Sequence, residues 1–258
     1  MLSDPAWADA FTGTPRHLFT PDVLDADGTV LHADDPRWAD LVYADEALLT
    51  QTTPVGRGAA ELPTSSSSKP AVMAVMLDRL EVRAGHRVLE IGTGTGYNTA
   101  LLCHRLGPDN VYSLGIDPGL VATAADRLAG LGHNPHLNAG DGAAGWDEHA
   151  PFDRILATCA ITQIPPAWIC QLADGGRIVA PLDAGTAGPL LVLDKTAPDE
   201  ATGRIDAYPA EFMHLREHAD NPLGPGQSTG FAATGMPHYG TTALDPATLL
   251  IDDSCRTG

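Results

Sequence analysis

The chain has 258 residues, 43% hydrophobic and 19% charged, which suits one large globular domain with appendages and is too apolar for a disordered chain. Its 33 Asp and Glu against 15 Lys and Arg give a net charge of −18, with lysine only at Lys69 and Lys195, so the surface repels nucleic-acid phosphates and nucleic acid is not an expected partner. No stretch approaches the ~20 apolar residues of a membrane span and residues 1–10 do not read as a secretory signal, so the expectation is a cytoplasmic protein with no membrane partner.

In chain order, an aromatic-bearing segment with Trp7 and Phe11 precedes TPRHLFTP (14–21), whose prolines bracket a short helical or turn element. Residues 22–45 are acidic and punctuated by Gly and Pro. They read as an ordered surface insertion in which Trp38, Leu41 and Tyr43 can pack. Residues 51–70 are rich in Gly, Thr, Ser and Pro and read as a loop ending in TSSSSKP, which opens onto a helix over 71–82. From 87 to 181 the pattern alternates: RVLEI as a buried strand, a helix over 97–106, VYSLGID as a strand, a helix over 118–131, and PHLNAGDG as a short strand into a turn. FDRILAT, a helical turn over 165–172 and GGRIVAPL follow. Such alternation predicts an α/β fold, a mainly parallel sheet with helices on both faces and ligands beyond the carboxyl ends of the strands. GPLLVLDK and RIDAYPAEF read as paired edge strands, and 221–258 as an irregular Gly/Pro-rich extension. The expected organisation is an N-terminal segment (1–69), a core (70–220) and the extension (221–258).

Cys103, Cys159, Cys170 and Cys255 show no CxxC spacing and read as buried free thiols. His214 and His218 stand at helical i, i+4 spacing without the intervening acid of an HExxH site, so no metal centre is expected.

EIGTGTGY (90–97) sits where a buried strand turns into a helix. Glycines at 92, 94 and 96 let backbone approach a ligand at a helix N-terminus, which suits a nucleotide-like cofactor. The dinucleotide fingerprint requires glycine at position 97, where Tyr97 stands, and this weakens an NAD reading. Asp117 ends the second strand, 25 residues beyond Gly92, where a carboxylate can accept both ribose hydroxyls. Asp141, in GDGAAGW, lies at the same edge and can accept from the exocyclic amine of a purine. Read blandly, these are a structural turn, a helix cap and an Asx turn. Three such motifs at one edge favour a nucleoside.

These residues, with TPRHLF, Ser68-Lys69-Pro70, VLEIGTGTGYNTALL, GDGAAGWDEHAPFDRILATCAITQIP and QLADGGRIVAPL, resemble the protein-L-isoaspartate O-methyltransferase family over residues 14–20 and 64–182. The resemblance implies a Rossmann-like class I methyltransferase fold, a mostly parallel seven-stranded sheet with a β-hairpin edge, and S-adenosyl-L-methionine as cofactor. Carried over by position, Glu90, Gly92, Thr93, Gly94 and Gly96 line its methionine end, Asp117 holds the ribose, and Asp141 with Gly142 meets the adenine. A serine of the family's substrate loop falls on Ser68, implying a catalytic contact to the acceptor carboxylate, with Ser66, Ser67 and Lys69 binding substrate. The family's glutamine is Lys69 here and its isoleucine is Ser67.

The implied partner is a peptide or protein bearing an Asp or isoaspartyl carboxylate. The Ser-rich loop, the acidic insertion and the extension favour a relative of the methyltransferases found beside ATP-grasp peptide maturases. Those act in graspetide biosynthesis, methylating an aspartate of a ribosomal peptide so that an aspartimide forms. The alternative is repair of isoaspartyl residues in damaged proteins. A non-catalytic protein that keeps the cofactor fold is the reading from another class.

Overall fold

The computed structural model describes residues 2–25, 27–54, 61–183 and 188–217. Helix α1 (Pro5–Gly13) starts at the Asp4 cap, whose carboxylate accepts from the Ala6 N–H at 2.9 Å. A single 3₁₀ turn, Arg16–Leu18, follows. The acidic insertion is ordered, as expected. It forms β1 (Val23–Leu24), β2 (Val30–Leu31) and α2 (Trp38–Tyr43), closing over Val23, Leu31, Val42 and Leu48. Residues 51–70 are not the expected loop: β3 (Leu48–Pro54) and β4 (Glu61–Ser67) pair antiparallel, and a four-stranded sheet of order β2-β1-β3-β4 results.

The core then runs in the predicted alternation: α3 (Pro70–Leu80), β5 (Val88–Ile91), α4 (Tyr97–Leu106), β6 (Val111–Gly115), α5 (Pro118–Gly130) and β7 (His136–Ala139). After these come β8 (Phe152–Ala157), α6 (Pro166–Gln171), β9 (Leu172–Pro181), β10 (Gly188–Ala197) and β11 (Glu200–Ala210). The strands form a seven-stranded sheet ordered β11-β10-β9-β8-β5-β6-β7. The five strands from β9 to β7 are parallel, and β10 and β11 complete an antiparallel edge hairpin.

All four residues of β5 are buried because helices cover both sheet faces. On one face Trp7 and Ala10 of α1 join Met73, Met76 and Leu77 of α3 and Leu101 of α4 in one core. On the other, Ile91, Phe152, Ile155, Trp168 and Ile178 pack together. The N-terminal 69 residues therefore have a small core of their own around Val42, while α1 belongs to the main one. Chain order reverses at β5, flanked by β6 and β8, so a crevice opens beyond its carboxyl end. No helix among the described residues is long and apolar enough to cross a membrane. The extension 221–258 lies outside the described residues.

Candidate active site

The turn after β5 needs its glycines. Gly92, Gly94 and Gly96 have φ of +108°, +50° and +86°, a region that disfavours any residue with a Cβ. The Gly92 and Thr93 N–H groups both donate to the Leu114 carbonyl, at 2.7 and 3.1 Å, and stitch the turn to β6. The Thr93 hydroxyl lies 2.8 Å from Ser113 Oγ, so this side chain is turned into the protein rather than toward a ligand.

Glu90 departs from its expected role as a lining residue. It is wholly buried, accepting from Asn98 Nδ2 (2.7 Å), Thr99 Oγ1 (2.5 Å) and Ser113 Oγ (2.7 Å). Desolvation raises its pKa, and the three donors only partly offset that. Its carboxylate ties β5, β6 and the first turn of α4 beneath the glycines.

Both edge aspartates are helix caps that keep one oxygen in hand. Asp117 Oδ1 accepts from the Gly119 and Leu120 N–H groups at 2.8 and 3.2 Å, while Oδ2 has a long 3.5 Å contact from Gln51 Nε2 of β3. Asp141 is exposed, and its Oδ1 accepts from the Ala143 N–H at 2.9 Å. The Asx geometry is thus real, and it fixes each carboxylate rather than consuming it. Gly142 is buried instead of presenting a surface, because a Cβ there would stand 2.5 Å from Ile91 Cγ2 and 3.1 Å from Leu215 Cδ1. Its carbonyl accepts from Trp168 Nε1 at 2.8 Å, and Gln171 braces the next turn through Trp146 N (2.8 Å) and the Ala144 carbonyl (2.9 Å).

Residues from the sheet's far end complete the edge. The Ala160 N–H donates to the Met213 carbonyl and the Leu215 N–H to the Ala160 carbonyl, each at 2.8 Å, which brings Arg216 across to donate to the Thr64 carbonyl of β4 at 3.1 Å. His214 lies in this extended crossing and not on a helix, with Nδ1 3.2 Å from Asp183 Oδ2; His218 is outside the described residues. Cys170 is disulfide-bonded, which corrects the free-thiol reading for that residue. Cys103 and Cys159 are free, and burial pushes the Cys159 thiol up to about 12, so it is no nucleophile at neutral pH.

The serine-rich segment is the end of β4. Ser65 and Ser67 face inward and are buried, and Ser66 puts its carbonyl 3.6 Å from where a Gly94 Cβ would be. Ser68 is half-buried at the junction with α3, and among the described residues its hydroxyl has no hydrogen-bond partner. Lys69 Nζ stands 3.5 Å from Asp45 Oδ2 in an exposed ion pair, and the same Asp45 accepts from the Ala71 N–H at 2.8 Å.

Sequence reasoning used TPRHLF only as a family marker and missed what Arg16 does. Arg16 is 2% exposed, and its guanidinium serves carbonyl or hydroxyl oxygens of five residues: Val42, Ala44, Glu46, Ser67 and Ser68. Thr158 was also missed; its hydroxyl donates to the Gly92 carbonyl at 2.8 Å and packs under Gly92 Cα. A cavity of about 390 Å³ lies beside Arg16, lined by Thr14, His17, Val42, Tyr43, Pro70 and Tyr97 among others.

A parallel sheet reversing at β5, a glycine turn of positive φ and two anchored carboxylates beyond the next two strands suit an adenosine-bearing cofactor. They define an S-adenosylmethionine-dependent methyltransferase. The chain belongs to the protein-L-isoaspartate O-methyltransferase family: the model for "Protein-L-isoaspartate(D-aspartate) O-methyltransferase (PCMT)" matches residues 30–216. It is 39% identical over 216 residues to protein-L-isoaspartate O-methyltransferase 1 of an Anaeromyxobacter species, covering 83% of this chain and 89% of the relative. An Anaeromyxobacter dehalogenans relative of the same description is 42% identical over 195 residues, or 75% of this chain and 88% of its own. A solved protein-L-isoaspartate O-methyltransferase is 28% identical with a TM-score of 0.66, covering 86% of this chain and 63% of that one. A Plasmodium falciparum structure in complex with S-adenosyl-L-homocysteine shares the fold at 17% identity and a TM-score of 0.60, over 84% of this chain and 92% of that one. As a member of this family the chain is an O-methyltransferase with S-adenosylmethionine as cofactor.

Proposed function

We propose that this protein methylates the free carboxylate of an isoaspartyl residue in a peptide or protein, in the cytoplasm, with Ser68 orienting that carboxylate. The observation that carries the reading is Ser68 itself: an uncommitted hydroxyl on a pinned backbone, adjoining the strand end that crosses the glycine turn. Identity near 40% with relatives of that description, over most of both chains, supports the isoaspartyl acceptor over the graspetide-type one.

Bound at the glycine turn, S-adenosylmethionine supplies an electrophilic methyl on a sulfonium. Asp117 Oδ2 would accept from the ribose hydroxyls and Asp141 from the adenine amine, each aimed by its capping oxygen. The glycine turn at Gly92, Gly94 and Gly96 would let the methionine portion approach backbone. An acceptor carboxylate is already anionic at neutral pH, so no strong general base is needed. The chain's contribution is alignment and exclusion of water: Ser68 donates to one carboxylate oxygen and leaves the other to attack. Ser66 and Lys69 flank the approach, while Ser67, expected from the sequence to bind substrate, is turned inward and accepts from Arg16 Nε at 3.2 Å. In the methyl ester the next backbone nitrogen attacks the carbonyl carbon and methanol leaves, closing a succinimide that hydrolysis opens to aspartate or isoaspartate.

A second reading, in which the acceptor is an ordinary aspartate of an ester-cyclised graspetide-type peptide, has one observation in its favour. The substrate-side residues are the end of a hairpin with seven-residue strands, joined to the acidic segment through Lys69 and Asp45, which is a surface able to select one folded partner.

Mass spectrometry separates the two. The enzyme with S-adenosylmethionine is expected to add one methyl to an isoaspartyl test peptide, followed by loss of methanol. Reaction confined to an ester-cyclised acidic peptide would replace this reading with the second. Ser68→Ala should reduce turnover about 10- to 100-fold, the scale of a hydrogen bond to a charged group, with cofactor affinity unchanged. Full turnover in that variant would remove Ser68 from the mechanism. Asp117→Asn should weaken cofactor binding by about 10- to 100-fold through loss of the charged acceptor, yet leave thermal stability nearly intact, because Asn also caps helices. Titration calorimetry and a melting curve check the two halves, and wild-type affinity would refute the ribose assignment.

A further inference from the structure

We propose that Arg16 is a positioning residue for methyl transfer, holding Ser68 at the acceptor through the backbone carbonyls of Ser67 and Ser68, which flank that residue; this rests on the Ser68 reading above. Arg16 Nη2 donates to the Ser67 and Ser68 carbonyls at 3.0 Å each and to the Glu46 carbonyl at 2.9 Å. Nε donates to Ser67 Oγ at 3.2 Å, and Nη1 to the Val42 and Ala44 carbonyls, both at 3.1 Å. One planar fork therefore fixes the last turn of the acidic segment and the substrate-side serines against each other. Lysine cannot imitate this, since its three donors radiate from one atom and the six contacts here spread over three nitrogens.

The arrangement is built for aim. No carboxylate hydrogen-bonds the guanidinium among the described residues, so its charge is solvated by a shell of carbonyl dipoles, and movement of that shell moves Ser68 directly. From the other side Asp45 grips Lys69 and the Ala71 N–H. The Ser68-Lys69 dipeptide is thus held between Arg16 and Asp45, with the Ser68 hydroxyl left uncommitted. A shift of about 1 Å in a group that orients a reactant can cost about 100-fold in rate without altering cofactor binding.

The cavity of about 390 Å³ that Arg16 lines makes a chemical test available, because a guanidinium ion is small enough to enter where the side chain has been removed. Arg16→Ala and Arg16→Lys are assayed for kcat and KM on the isoaspartyl peptide, for S-adenosylmethionine Kd, and for melting temperature. The expected result is kcat lowered by about 10- to 100-fold with Kd within about threefold of wild type. Millimolar guanidinium chloride should restore turnover to Arg16→Ala, while equal sodium chloride should not. If Arg16→Ala does not fold, Arg16→Lys carries the test, together with the double variant Ser68→Ala/Arg16→Lys. That double variant should be no slower than Ser68→Ala alone, since a residue acting through Ser68 has nothing left to position. Undiminished kcat in Arg16→Lys overturns the proposal, and so does additivity in the double variant or equal loss of kcat and cofactor binding. Full turnover in Ser68→Ala is a different failure: it strikes the Ser68 reading, and the Arg16 proposal falls with it.

Discussion

Gly92→Ala should abolish measurable cofactor binding. Gly92 has φ of +108°, where a side chain is strained regardless of space, and its Cβ would stand 2.5 Å from Thr158 Oγ1. That hydroxyl cannot swing away freely, because it donates to the Ile91 and Gly92 carbonyls at 3.1 and 2.8 Å. Relief must come from the turn itself, which would pull the Gly92 and Thr93 N–H groups off the Leu114 carbonyl. Strain of this kind costs about 1–3 kcal/mol before the clash is counted, and a displaced turn no longer matches the methionine portion of the cofactor. We expect S-adenosylmethionine affinity to fall at least about 100-fold, with a melting temperature lower by several degrees. Adding Thr158→Ala removes the clashing atom but not the strain, so it should recover part of the stability. Gly94→Ala, with nothing nearer than 3.6 Å, should cost less stability than Gly92→Ala. Titration calorimetry on the three variants decides the matter, and wild-type affinity in Gly92→Ala would refute the assignment of this turn.

The core was readable because its signals are local. Apolar runs such as VLEI and FDRILA announce strands buried on both faces, and Gly and Pro mark their ends. The hairpin of β3 and β4 escaped because LLTQTTP and ELPTSSS have loop-like composition. What pairs them is polar: Thr50 Oγ1 donates to Ser65 Oγ at 3.0 Å and Thr64 Oγ1 to Gln51 Oε1 at 2.9 Å, cross-strand bonds that no apolar periodicity reports. Arg16 escaped for a related reason: its acceptors are mostly main-chain carbonyls, which every residue possesses, so no partner residue type betrays it. The place of Asp117 and Asp141 at the carboxyl edge of the sheet was legible because a strand end followed by an acid is visible in one dimension. Glu90 was found at the right turn and given the wrong direction, since only three dimensions show Asn98, Thr99 and Ser113 closing around it.

Glu90→Gln and Glu90→Ala should therefore separate charge from hydrogen bonding beneath the turn. In Glu90→Ala three donors lose their acceptor inside the protein, and an unpaired buried polar group costs about 1–3 kcal/mol, so the loss should reach several kcal/mol and carry cofactor binding with it. Glu90→Gln keeps an oxygen for Asn98 Nδ2, and its amide can donate to the Thr99 and Ser113 hydroxyls, which rotate to accept. Its distinguishing effect is on pH dependence. Burial raises the Glu90 pKa above the ordinary 4.5, so between that value and the folded one the native state binds more protons than the unfolded state. Stability from this group is fully present below 4.5 and is lost as pH rises through the folded value. Asp4, Asp194 and Asp206 act oppositely: hydrogen bonds hold each below the usual 3.8, from the Ala6 N–H and Arg105 on Asp4, Arg177 on Asp194 and Arg79 on Asp206, so their contribution is present above 3.8 and lost as pH falls through their folded values. Subtracting the Glu90→Gln melting profile from that of wild type cancels the aspartates and isolates Glu90. The difference should move in favour of Glu90→Gln as pH climbs above 4.5. A flat difference would mean that the three donors compensate the buried charge completely, and the carboxylate would then be a neutral tie between β5, β6 and α4 rather than a strained one.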